Sequence, residues 1–192
     1  METIVIIAVW LFALTHIDTL VVLIAFCADS GYHVYEVLLG HYIGFSIGLI
    51  AAVGGTLLAA ELFHSWSFLL GGLPVLIGVW SLLRRYPSTH VADIEAIPDQ
   101  SGRVGVVTTA GIGLSGENIA VFIPFFTRLS TTELLLVVLA YVVAAGLVFL
   151  LAYFIAQIFG KVAIPPRLDR WLVPSILILV GLAILGSGIF IS

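Results

Sequence analysis

Six long apolar runs, at residues 3–27, 37–60, 63–83, 104–127, 132–159 and 171–191, take up most of this 192-residue chain. A bilayer core about 30 Å thick is crossed by roughly 20 helical residues at 1.5 Å rise each. Every run is therefore long enough to span. The breaks between them hold most of the charges and turn formers, such as Asp29-Ser30-Gly31 and Pro165-Pro166. Composition closes the other options. Apolar residues make up 61% of the chain and charged residues 9%, against about 25% charged in a soluble domain. Seven basic and eleven acidic side chains cannot coat a particle of this size, which excludes a soluble globule. High hydrophobicity with low charge is also the reverse of a disordered composition. A net charge of −4 without a basic cluster gives no support for a nucleic-acid partner. The single cysteine, Cys27, makes neither an internal disulfide nor a redox pair. The expectation is an all-α integral membrane protein with six transmembrane helices in a lipid bilayer.

The first run has no basic stretch before it, no small-residue cleavage site after it, and carries Asp18. A cleaved signal peptide is not expected. Short loops rich in Lys and Arg stay in the cytoplasm. The segments after runs one, three and five hold Arg84, Arg85, Arg103, Lys161, Arg167 and Arg170, whereas the opposite side, with both termini, holds Arg128. This asymmetry predicts a multi-pass protein of the plasma membrane, with both termini outside and residues 84–103 as a cytoplasmic loop. Within that loop His90, Asp93, Glu95 and Asp99 read as a solvated linker.

The two halves resemble one another at an offset of about 100. Superposing Asp18 on Glu117 aligns Thr15-His16-Ile17-Asp18-Thr19-Leu20 with Leu114-Ser115-Gly116-Glu117-Asn118-Ile119. At an offset of 100, one residue more, Gly40 and Gly44 fall opposite Ala140 and Ala144, and Pro74 opposite Pro174. Each half has an odd number of spans, so the second lies inverted relative to the first. That predicts two inverted three-helix repeats, 1–83 and 104–192, joined by the 84–103 loop. Transporters built this way hold their substrate near the midplane at the repeat interface.

Asp18 and Glu117 both fall near the bilayer centre. An acidic side chain there costs roughly 2.5–3.5 kcal/mol on insertion scales and needs a partner or a purpose. No Lys or Arg lies inside any run to pair with either. Their flanks are polar: Thr15, His16 and Thr19 around one, Ser115 and Asn118 around the other. Carboxylate, amide and hydroxyl oxygens suit a dehydrated cation, and imidazole adds affinity for Zn-like ions. The candidate metal ligands are Asp18, Glu117, Asn118 and His16, with Thr15, Thr19, Ser115 and His41 as secondary substrate-binding residues. Gly113, Gly116 and Pro124 in run four are expected to break its helix, because unwound backbone is tolerated at membrane depth where it lines a cavity. Gly40, Gly44 and Gly48 smooth one face of run two for close packing. His41 reads as a hydrogen-bonded histidine near a span end, Cys27 as a structural thiol, and Trp10, Trp66, Trp80 and Trp171 as packing or interfacial anchors.

Two further motifs lead elsewhere. Gly111-Ile112-Gly113-Leu114-Ser115-Gly116 has dinucleotide-fingerprint spacing but no βαβ unit around it. Gly113-Leu114-Ser115-Gly116 is similar to the serine motif of rhomboid intramembrane proteases, yet run six contains no histidine to activate the hydroxyl. An enzyme is not expected.

The polar cores of runs one and four resemble the cadmium resistance transporter family, CadD type, of the LysE superfamily of exporters. That family carries Asn-Ile-Asp-Asp in its first span, similar to His16-Ile17-Asp18-Thr19. Ser115-Gly116-Glu117-Asn118-Ile119-Ala120-Val121-Phe122-Ile123-Pro124 resembles its Gly-Gly-Asp-Asn-Ile-Gly-Val-Tyr-x-Pro-like fourth span, and Gly40-His41-Tyr42-Ile43-Gly44-Phe45 its second. The chain departs from the pattern at His16, Thr19, Glu117 and His41, so one negative charge is lost and two imidazoles are gained. The resemblance implies efflux of Cd²⁺ or a similar divalent cation, with Cd²⁺ or Zn²⁺ as transported substrate rather than a permanently bound cofactor. No nucleotide-binding motif exists, so an ion gradient or a partner must drive it, and proton antiport through the midplane carboxylates is the expected coupling. An organic cation such as a basic amino acid is the alternative cargo. A homo-oligomer is left open.

The orientation makes a direct prediction. With Cys27 replaced, Ser101→Cys should resist an impermeant thiol reagent in intact cells, whereas Ser192→Cys should label readily. The reverse labelling pattern would overturn the topology.

Overall fold

The computed structural model describes residues 2–62, 72–83 and 100–159, with isolated helical positions between 175 and 185. All regular structure among them is helical: α1 (Glu2–Thr15), α2 (Ile17–Ala28), α3 (Val34–Leu62), α4 (Gly72–Leu83), α5 (Gln100–Phe126) and α6 (Thr131–Phe159). Helices α3, α5 and α6 are each long and apolar enough to cross a membrane, and α1 with α2 forms a fourth span if the bent pair counts as one. α4 covers the second half of the third run. The rest of that run, the 84–99 part of the expected loop and nearly all of the sixth run lie outside the described residues. α5 begins at Gln100, so Arg103 stands in its first turn rather than in a loop.

The first run is not one straight helix. α1 and α2 meet at His16 with a bend of 56°, and no Pro or Gly lies nearby to cause it. Side chains do so instead. The Phe12 carbonyl accepts the His16 backbone N–H at 3.0 Å, the Thr15 hydroxyl at 3.2 Å and His16 Nδ1 at 3.0 Å. Just beyond, Asp18 Oδ1 accepts the Thr19 backbone N–H at 2.6 Å. The Phe12 carbonyl thus keeps its helical partner, the His16 N–H, and it is the Asp18 carboxylate that competes with the helical ladder for a backbone donor. The expectation that Gly113, Gly116 and Pro124 would break run four is thereby corrected: α5 is continuous from Gln100 to Phe126. A glycine weakens a helix without breaking it when neighbouring helices supply packing. The break falls where a side chain, not a glycine, takes a backbone N–H.

Two helix starts carry an acid that caps backwards, and the one at α6 is reciprocal. At α6, Ser130 N–H and hydroxyl donate to Glu133 Oε2 at 2.8 and 2.7 Å, and the Glu133 N–H returns to Ser130 Oγ at 3.4 Å. At α3, Glu36 Oε2 accepts the His33 N–H at 2.8 Å. Both satisfy donors that a helix N-terminus leaves free.

α3 and α5 run parallel and share the most extensive contact. Their backbones approach closely because α3 presents glycine. A Cβ on Gly40 would sit 2.6 Å from Val107 Cβ, on Gly44 2.9 Å from the Thr108 carbonyl, and on Gly48 2.5 Å from Ser115 Oγ. α1 and α2 lie against α6, with Phe12 against Tyr141 at 4.9 Å between ring centroids. Phe12, Phe45, Phe122, Phe126 and Tyr141 form the centre of one buried cluster, and Leu23, Phe26, Val37, Val107 and Phe149 that of a second. Large apolar side chains such as Trp10, Ile50, Leu139 and Ile158 face outward, as a lipid-facing surface requires.

The Gly44 contact should be sensitive to a single methyl group. Gly44→Ala drives a Cβ into backbone rather than a flexible side chain, and overpacking of that kind costs about 1–3 kcal/mol. Its melting temperature in detergent should fall clearly below wild type. Gly54→Ala, whose Cβ meets nothing within 4 Å, should not lower it.

Candidate metal site

A cavity of about 20 Å³ opens beside the break between α1 and α2. His16 and Thr19 line it from the break, and His41, Phe45, Gly48 and Leu49 from α3. Gly111, Ser115, Asn118 and Phe122 complete it from α5. His41, Phe45 and Gly48 share one helical face by their spacing, as do Gly111, Ser115, Asn118 and Phe122. The glycine contacts of α3 bring those two faces together. About 10–15 Å³ holds a water-sized species, so the space suits one water or one bare ion.

Its polar atoms are held in defined states. His16 Nδ1 donates to the Phe12 carbonyl at 3.0 Å, which leaves Nε2 with the lone pair in the neutral ring. His41 Nε2 donates to the Ala145 carbonyl at 3.2 Å, which leaves Nδ1 with its own. A histidine that binds a metal commonly anchors its other nitrogen on a carbonyl in this way. The His16 ring stacks on Phe12 at 3.7 Å and 13° and faces Phe122 at 6.1 Å. Both histidines are buried, each 3% exposed. Ser115 donates its hydroxyl to the Gly111 carbonyl at 2.8 Å, so its proton is directed at its own helix and not at either imidazole. Asn118 is buried, and its Oδ1 has no hydrogen-bond partner among the described residues. A buried amide oxygen without a donor carries a desolvation penalty of about 1–3 kcal/mol that a cation would relieve.

The residues singled out from sequence are thus brought together only in part. His16, Thr19, His41, Ser115 and Asn118 share the cavity. Thr15 sits behind it, its hydroxyl on the Phe12 carbonyl and 3.3 Å from His16 Nδ1. Asp18 and Glu117 are half-buried and not among the lining residues. Asp18 stands directly behind the wall, because its Oδ1 accepts the Thr19 hydroxyl at 3.3 Å. Glu117 immediately precedes Asn118 on α5. Among the described residues no three His, Cys, Asp or Glu side chains cluster as a closed metal cage. Gly113 and Gly116 are exposed on α5, and Pro124 is buried near its end.

His41 takes a more central place than its position near a span end suggested. It lies in the interior, beside His16 rather than at the rim. The aromatic walls Phe12, Phe45 and Phe122 escaped notice, since a phenylalanine in an apolar run carries no distinguishing signal. Glu36, one residue before run two, also escaped, and its side chain is fully buried. The three-residue spacing from His33 was the available sign of a capping acid turned inward. Cys27 packs against the second cluster, away from the cavity lining.

A comparison with curated proteins and one with solved structures each find no match. The profile of the family described as Cad, cadmium resistance transporter, matches residues 12–190. That span begins at Phe12 and includes every residue lining the cavity. The match covers nearly the whole length, and the chain belongs to the cadmium resistance transporter family.

Proposed function

We propose that the protein is a secondary transporter of the plasma membrane that exports a divalent heavy-metal cation, Cd²⁺ foremost and Zn²⁺ with it, by proton antiport. The observation that carries this reading is the cavity at the break in the first span, where two anchored imidazoles meet an amide oxygen without a donor. Nitrogen and neutral oxygen donors favour Zn-like ions over Ca²⁺ or Mg²⁺. A volume of about 20 Å³ favours a bare ion over an organic cation. A divalent ion in a low-dielectric site also needs compensating negative charge. Asp18, through Thr19, and Glu117, beside Asn118, supply it from behind the lining. The same carboxylates take up protons when the metal leaves.

An architecture of two inverted three-helix repeats has support in the contacts. Exchanging the halves turns the α3–α5 pair into the pair made by α6 with α1 and α2, and these are the most extensive interfaces in the bundle. Tyr42 donates to the Val142 carbonyl at 3.2 Å, joining residues 100 apart, as a two-fold between α3 and α6 would. A broken helix at the site is the usual device of such transporters. In this scheme metal enters from the cytoplasmic side, the repeats rock, and external protons release it.

The test is uptake of radiolabelled Cd²⁺ into proteoliposomes under a proton gradient, with binding measured on the same variants. Asp18→Asn and Glu117→Gln should each abolish transport while the protein inserts and elutes normally. His41→Ala should weaken Cd²⁺ binding by at least about tenfold, which corresponds to 1.4 kcal/mol. His16→Asn should keep transport but shift preference away from Zn²⁺ toward harder ions. Near-normal transport in either neutral acid variant would sink the compensating-charge mechanism. Unchanged binding in His41→Ala would remove the cavity as the site.

A further inference from the structure

A fully buried carboxylate lies one helical turn outside the cavity. Glu36, in the first turn of α3, is 0% exposed. Its Oε2 accepts the His33 N–H at 2.8 Å and lies 3.6 Å from Arg103 Nη1. Its Oε1 is buried with no hydrogen-bond partner among the described residues. The nearby Tyr32 hydroxyl is in the same condition. An ionised carboxylate is seldom buried unless both oxygens are satisfied. Here one oxygen has a cap and a loosely held counter-ion, and the other has neither.

This carboxylate stands on a line to the site. A second small cavity, of about 10 Å³, shares Thr19, His41 and Gly111 with the first and extends between α2 and α5 to Phe26 and Val107. Val107 is one turn from Arg103 on α5, and Gly40, which packs on Val107, is one turn from Glu36 on α3. Phe26 in turn meets Tyr32 edge to face at 5.1 Å. The order along the α3–α5 seam is therefore Glu36 with Arg103, the second cavity, then His41 and the main cavity. Arg103 is a quarter exposed and faces the outer end of this line.

We propose that Glu36 is the docking carboxylate for the divalent cation at the mouth of the path, and that Arg103 is the counter-ion the cation displaces. The inference rests on the cation-transport reading above and adds a step to it. An arriving Cd²⁺ takes the vacant Oε1 and drives Arg103 aside. It then moves inward to the imidazoles, and Arg103 returns behind it. With only one acidic ligand the stop is weak, as a point of transit must be.

The competition fixes opposite signs for two substitutions. In Cd²⁺ flux into proteoliposomes, Arg103→Gln should lower KM and Glu36→Gln should raise it, each by about threefold to tenfold. Turnover should stay within about twofold in each, since neither group holds the ion in the inner cavity. The double variant should raise KM as Glu36→Gln does, because the docking carboxylate is lost in both. If Glu36 and Arg103 merely hold α3 to α5, the two single variants shift KM in the same direction or not at all, and the proposal fails. Should Glu36→Gln not reconstitute, Glu36→Asp keeps the charge but retracts it. A raised KM then supports docking and an unchanged KM overturns it. Should Arg103→Gln not reconstitute, Arg103→Lys gives up the planar fork, and a lowered KM is again expected, an unchanged one contrary. Absence of Cd²⁺ uptake by the wild-type chain would overturn the transport reading and this inference together. Wild-type uptake with same-direction shifts would overturn this inference alone.

Discussion

Most of what this bundle does follows from the approach of α3 to α5. Gly44 lies against Thr108 and Gly111 so closely that one added methyl group would strike backbone. Between lipid-facing helices there is no hydrophobic gain from leaving lipid, so close van der Waals contact and interhelical hydrogen bonds must hold the pair. The same approach sets the chemistry. With the helices parallel and in this register, His41 faces Ser115 and Asn118 across one small cavity. One turn further along, it sets Glu36 beside Arg103. A wider separation would flood the polar groups or leave them facing lipid.

The break at His16 is the second constraint, and it is made by side chains. The Asp18 carboxylate holds the Thr19 N–H where α1 and α2 meet at 56° to one another. A continuous helix would carry Thr15, His16 and Thr19 around its surface at 100° intervals. The bend instead turns His16 and Thr19 into a common space, and stacking on Phe12 fixes the imidazole plane. The result is a set of neutral donors in an aromatic box, with the negative charges held just behind.

Much of this was legible in the chain. The long apolar runs show that it is a membrane protein, because a helix that satisfies its own backbone is one of few structures lipid permits. The boundaries of α3, α5 and α6 fall within a few residues of the hydropathy pattern. The smooth face of Gly40, Gly44 and Gly48 is the contact face. His16, Thr19, Ser115 and Asn118 stood out because polar groups in an apolar run need a reason to be there.

What the chain could not disclose is which of these groups meet. Asp18 and Glu117 attract attention by cost, but cost is a property of a residue and its depth, whereas coordination depends on direction. Direction is decided by the bend at His16 and the register of α3 on α5, and both arise from contacts between distant residues. Glu36 shows the same limit: on paper it is a charge at the start of a helix, and only packing against α5 buries it. The sequence by itself therefore determined the solvent of this protein, the faces of its helices and the kinds of atoms available to a cation. The tertiary structure alone decided that two imidazoles and an amide oxygen share one cavity, because a ligand set is made by helices that approach closely enough to exclude everything else.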